Sequence, residues 1–99
     1  MVEMFKALGD PTRLQIVRML SEQGDMCVCH IVETLKLGQP AISHHMSVLK
    51  NSGLVNSRRE GQWIHYSLNR EAIKSGPCEF LNSVAAEKIN SGKGCCSNE

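Results

Sequence analysis

Apolar residues recur at helical spacing in five stretches and at alternate positions in one, and their order along the chain outlines a fold. Glu3 to Leu8 reads as a short amphipathic helix closed by Gly9. Asp10-Pro11 opens a second helix, because Asp10 can cap free backbone N–H groups and Pro11 sits at the first helical position, where its missing N–H costs nothing. Leu14, Ile16, Val17 and Leu20 supply its expected buried stripe. After the break at Gln23-Gly24-Asp25, a third helix is predicted from Cys27 to Lys36, with Ile31 and Leu35 on its inner face and Leu37-Gly38 closing it. Pro40 opens a fourth helix that runs to Asn51 and is stopped by Gly53. Leu54 to Glu60 and Gln62 to Leu68 then read as two strands around Gly61, with Ile64, Tyr66 and Leu68 alternating against Trp63, His65 and Ser67. A last helix is predicted over Pro77 to Ile89, with Phe80, Leu81, Val84 and Ala85 apolar. The Gly/Ser/Asn-rich run from Asn90 reads as a flexible tail.

Two helices joined by a tight glycine-containing turn and followed by a hairpin make the outline of a winged helix-turn-helix, whose second helix enters the major groove. The expected fold class is therefore mainly α with a small β-hairpin. Its 99 residues suffice for one modest core, expected over residues 1–90, with a cysteine-containing tail over 91–99. No apolar run approaches the roughly 18 residues needed to span a bilayer, and the N-terminus lacks a basic-then-apolar signal pattern. The chain is expected in the cytoplasm, with no membrane partner.

The fourth helix has two chemically distinct sides. At 100° per residue, Ile42, Met46 and Leu49 share one arc, with Ala41, Val48 and His45 beside it; this side faces the core. His45 is thus expected to be a hydrogen-bonded, largely buried histidine. The opposite arc carries Gln39, Pro40, Ser43, His44, Ser47 and Lys50. Gln39 can pair bidentately with adenine, Ser43 and His44 can reach base edges, and Ser47 or Lys50 can hold phosphate. In the wing, Arg58 and Arg59 beside Gly61, with Gln62, are expected against the DNA backbone or minor groove. A salt bridge between these arginines and Glu60 is the alternative. Charge agrees with this placement. The whole chain carries a formal +1, but residues 37–70 hold Lys50, Arg58, Arg59 and Arg70 against Glu60 alone, and the segments on either side are slightly acidic.

Five cysteines, an odd number in a chain with no secretion signal, argue against a disulfide scaffold. Cys27 and Cys29 form one close pair, Cys95 and Cys96 another, and Cys78 stands alone. In a regular helix, Cys27 and Cys29 would point about 200° apart, whereas in extended or unwound chain they face one side. Chelation is therefore expected to distort the start of the third helix. All-sulfur donors favour As(III), Sb(III), Cd(II), Cu(I) or Zn(II) over hard cations. A pyramidal three-coordinate ion needs a third thiolate, for which Cys95 or Cys96 is the candidate. Cys78 reads as a small apolar residue of the last helix. The chain has no C-x-x-C and no glycine-rich phosphate loop, so an enzyme is not expected.

Three stretches, ALGDPTRLQIV at 7–17, QPAISHHMSVLKNSGLV at 39–55 and RREGQWIHYSL at 58–68, together resemble the ArsR/SmtB family of metal-sensing repressors. The resemblance implies a winged-helix homodimer, paired through its first and last helices, that binds a palindromic operator when metal-free and leaves it when a toxic metal or metalloid binds. It places Cys27-Val28-Cys29 at the Cys-Val-Cys motif of the arsenic-responsive members. Those members often carry a third cysteine three residues on, where this chain has Val32. The zinc and cobalt sensors of the family place Asp and His ligands on the last helix, and Pro77 to Ile89 holds neither. The resemblance implies As(III) or Sb(III) as inducer, with Cd(II) or Zn(II) sensing, or thiol oxidation, as the alternatives.

Overall fold

The computed structural model describes residues 1–86, in which helices enclose one face of a small antiparallel sheet. The chain runs through α1 (Val2–Leu8), α2 (Pro11–Gln23), β1 (Met26–Cys27), α3 (Val28–Leu35), α4 (Gln39–Asn51), β2 (Val55–Glu60) and β3 (Trp63–Leu68). It ends in α5 (Arg70–Ile73), a π-helical turn (Lys74–Cys78) and α6 (Glu79–Ala85). The expectations placed on the tail, Cys95 and Cys96 included, lie outside the described residues.

The local signals act as their chemistry requires. Asp10 caps α2, its carboxylate accepting from the backbone N–H groups of Thr12 at 2.9 Å and Arg13 at 3.2 Å. These bonds favour the ionised carboxyl, the Arg13 amide most, and lower the Asp10 pKa. Gly61, at φ +62°, makes the tight wing turn. Gly53, at φ +91°, leaves room for the Met4 Cε, which would lie 3.2 Å from any Cβ there. Ile16, Met19 and Leu20 of α2, Ile31 of α3, Ile42, Met46 and Leu49 of α4, and Leu54 and Val55 beside the wing form the core with Ala7 and Met26.

Four features differ from the sequence reading. Leu14 is 54% exposed and Met19 is buried in its stead. Counting from Ile16, positions three and four residues on share a helical face, whereas Leu14, two back, points away. The third helix begins at Val28, one residue late, because Cys27 is extended and pairs with His65. The hairpin thereby becomes a three-stranded sheet in the order β1-β3-β2. The last helical stretch begins at Arg70 rather than Pro77, capped by the Asn69 side chain, which accepts from the Ala72 N–H at 3.2 Å. Pro77 lies inside it, buried. A proline lacks the N–H that an α-helix requires, and the wider π turn around it accommodates that loss.

Candidate nucleic-acid interface and thiol site

α4 is set by α3 and by the turn between them. Lys36 closes α3 in the left-handed region, at φ 57°, and Gly38 precedes the next helix with extended backbone. Pro40 lies in the first turn of α4, where φ near −65° is already helical. With Ile42, Met46 and Leu49 buried, Gln39, Ser43, His44, Ser47 and Lys50 are all exposed on the other side. Ala41, expected beside the core, is exposed at its margin.

His45 is half-buried and accepts at Nδ1 from Arg13 Nη1, 3.3 Å away. A guanidinium only donates, so this contact requires the tautomer with its proton on Nε2. Arg13 Nε also donates to the Ala7 carbonyl at 2.7 Å. One side chain thus ties the end of α1 and the start of α2 to the outward-facing helix. Arg13 was not singled out from sequence, although its place three residues after the capping Asp10 is the signal that sets it at that corner.

The wing carries its two arginines on opposite faces of β2. Arg58 Nη1 lies 2.8 Å from Asp25 Oδ2, and its Nε lies 3.3 Å from Glu60 Oε2. These partners raise its pKa, the Asp25 hydrogen bond contributing most. Arg59 forms no ion pair among the described residues. Gln62 is exposed at the wing tip.

At the base of the same sheet the Cys27 and Cys29 sulfurs are 2.8 Å apart. Cys27 ends β1 with extended backbone and Cys29 stands in the first turn of α3, so the change of conformation between them turns both thiols to one side. No distortion of a helix is needed to bring them together, contrary to the expectation from a helix starting at Cys27. Either thiol can donate to the other, and once Cys27 is ionised Cys29 is the donor. This hydrogen bond holds the Cys27 pKa below the usual thiol value of 9.0, helped by the Cys29 and His30 amides, and raises that of Cys29. The pair offers a soft ion two sulfurs, one of them readily ionised. Among the described residues no group of three His, Cys, Asp or Glu side chains is placed to hold a metal. Cys78 is exposed rather than buried, with the Asn82 side-chain amide 3.7 Å from its sulfur.

Comparison with known proteins gives this geometry a context. A family model described as bacterial regulatory protein, arsR family, matches residues 10–57. An uncharacterized HTH-type transcriptional regulator of Methanocaldococcus jannaschii is 51% identical over 73% of this chain and 81% of its own. The chain belongs to the arsR family. The members of this family are DNA-binding transcriptional regulators, and the winged helix described above is their fold. An arsenical resistance operon repressor of Escherichia coli is 47% identical over 69% of this chain, and a cadmium resistance regulator homolog of Staphylococcus aureus is 40% identical over 73%. The matched stretches span only 58% and 60% of those two relatives. Among solved structures, HlyU from Vibrio cholerae superposes with a TM-score of 0.69 at 34% identity, covering 87% of this chain and 91% of that one. No helix among the described residues is long and apolar enough to cross a membrane.

Proposed function

We propose that this arsR-family chain represses transcription as a homodimer on a palindromic operator and releases the DNA when As(III) or Sb(III) binds its thiolates. The observation that carries this reading is the Cys27–Cys29 pair, poised on one side at the strand–helix junction that leads into the helix-turn-helix. The names of relatives from E. coli and S. aureus support a soft inducer, and the all-sulfur donor pair supports As(III) or Sb(III) over harder ions. When bound, the ion supplies bonds that hold the thiolates together. Cys27, with its lowered pKa, is the first to offer a thiolate, and Cys29 follows as its proton leaves. In this reading Cys95 or Cys96 completes a three-sulfur set.

Gln39, Ser43 and His44 read base edges. Ser47, Lys50, Arg58, Arg59 and Gln62 hold the backbone or minor groove. Two copies meet through α1 and α6, where Met1, Val2, Phe80, Leu81 and Val84 are exposed beside the edge-to-face contact of Phe5 with Phe80, ring centres 5.9 Å apart. Complete release requires the ligand to favour the free state by about 5.5 kcal/mol.

Fluorescence anisotropy on a palindromic operator, titrated with arsenite, antimonite, cadmium and zinc at fixed salt, tests this reading. Release by the metalloids at the lowest concentrations, abolished in Cys27→Ser/Cys29→Ser, is the expected result. Release of that variant at the wild-type arsenite concentration would refute the assignment. The closeness of the two sulfurs also favours a second reading, oxidation to a disulfide, which peroxide-driven release without any metalloid would establish.

A further inference from the structure

The thiol-bearing strand is part of the wing. Strand pairing sets Cys27 opposite His65, and His65 opposite Arg58, so these three residues form one row across β1, β3 and β2 and share the sheet's outward face. The other face buries Met26 and Val55. Asp25, two residues before Cys27, and Glu60, two after Arg58, flank the row. His65 Nε2 is 3.5 Å from Glu60 Oε1 and its Nδ1 is 4.0 Å from Asp25 Oδ1, while Arg58 binds both carboxylates. A contiguous polar patch thus begins at the thiols and ends at a wing arginine. The other route, from Cys29 to α4, runs through α3, by its apolar packing against α4 and by the Lys36–Gly38 turn, and contains no polar side-chain bridge among the described residues.

We propose that the state of the Cys27–Cys29 pair reaches DNA through the wing, with Asp25 as the positioning residue that holds Arg58 in its ligand-free orientation. This rests on the reading of the pair as the inducer site. A ligand that fixes Cys27 against Cys29 acts on a strand of only two residues, whose ladder contacts are the Met26–Tyr66 and Cys27–His65 pairs. Any shift of that strand moves Asp25, the residue next to it, and the guanidinium Asp25 binds. Arg58 then no longer faces the backbone in the orientation that the operator complex uses. Asp25 and Arg58 are both partly exposed, at 37% and 54% of their side-chain surface, so their pair adds little to folding. Its contribution is to one arrangement of the wing over another.

The test uses the full chain and arsenite. Trp63, the chain's one tryptophan, lies on β3 opposite Glu60 and is half exposed, so it reports on the wing. In the wild type, arsenite without DNA is expected to change Trp63 emission, and Cys27→Ser/Cys29→Ser is expected to abolish the change. In Asp25→Asn, arsenite is expected to bind with unchanged midpoint, read by thiolate-to-arsenic charge-transfer absorbance. The ratio of operator Kd with and without arsenite shrinks by about fivefold, the most that one exposed ion pair ordinarily supplies. Asp25→Glu restores it. A wild-type Trp63 signal indifferent to bound arsenite, or an unchanged Kd ratio in Asp25→Asn, overturns the proposal. If arsenite gives no absorbance change and no release in the wild type, it is the inducer reading that has failed, and the proposal falls with it.

Discussion

Arg13 shows how a single side chain sets what an exposed helix face presents. Its guanidinium is held by the Ala7 carbonyl and His45, so it fixes α4 from behind, and in the proposed operator complex the phosphates fall to other residues. Replacing it by Gln removes a charge-assisted bond, worth about 1.5 kcal/mol, and should weaken operator binding by about tenfold. Because no phosphate contact is lost, the slope of log K against log salt should stay as in the wild type. In Lys50→Ala the slope should fall by about one. Anisotropy titrations at several salt concentrations separate the two, and a reduced slope in Arg13→Gln would reassign it as a phosphate contact. The thiols give a second residue-scale prediction. Cys27 is held low by the Cys29 hydrogen bond, so Cys29→Ala should move the pH midpoint of Cys27 alkylation upward, followed by mass spectrometry of its peptide. The converse variant, Cys27→Ala, should bring the Cys29 midpoint down. The exposed polar face of α4 was legible because helical periodicity sorts buried from exposed positions. The Arg58–Glu60 pair was legible too, as the alternative reading of the wing, but the Arg13–His45 and Arg58–Asp25 contacts were not, since His45 lies 32 residues from Arg13 and the turn that presents Asp25 to Arg58 exists only once the sheet is formed.

Among the elements, the helices announced themselves through caps and stripes, and the two that misread did so for stated reasons. A two-residue strand carries no periodicity of its own. β1 became visible only through its pairing with β3, and that pairing moved Cys27 out of α3 and changed what the Cys-Val-Cys spacing means geometrically. The apolar pattern predicts a last helix from Pro77, yet the Asn69 cap upstream and the π turn let the chain coil through that proline. The turn between α3 and α4 contains a strain of its own. Lys36 sits at φ 57°, ψ 35°, a conformation that costs a residue with a Cβ about 1 kcal/mol and glycine almost nothing. Lys36→Gly should therefore stabilise the fold by about 0.5 kcal/mol after the extra unfolded-state entropy of glycine is counted. In urea the midpoint should rise with the slope unchanged; a lower midpoint would mean that the lysine side chain makes a contact outweighing its backbone strain.

The described residues form a domain whose core is closed on the α2–α4 side but open along α1 and α6. Phe80 and Leu81 are about half exposed and Val84 more so, on a helix that touches α1 through the Phe5–Phe80 contact. A monomer gains nothing from keeping such a face in water; in the proposed homodimer a second copy related by a two-fold axis would cover it with the same residues in reverse. In that proposal the same axis would set two α4 helices one DNA turn apart, about 34 Å, the spacing of half-sites in a palindromic operator. Each recognition helix then binds with its partner already in place. Such linkage multiplies affinity by roughly 10² to 10⁴ without any new contact. Leu81→Glu/Val84→Glu should accordingly sediment as a monomer, keep its helical circular dichroism, and bind the full operator at least about a hundredfold more weakly. Its affinity for an isolated half-site should match that of the wild type, because α4 and the wing are untouched. If the wild type itself sediments as a monomer at micromolar concentration and binds full and half operators alike, the two-fold arrangement is wrong and another partner must cover the α1–α6 face. If only the variant loses the full operator, the apolar face and the palindrome are two consequences of one symmetry axis.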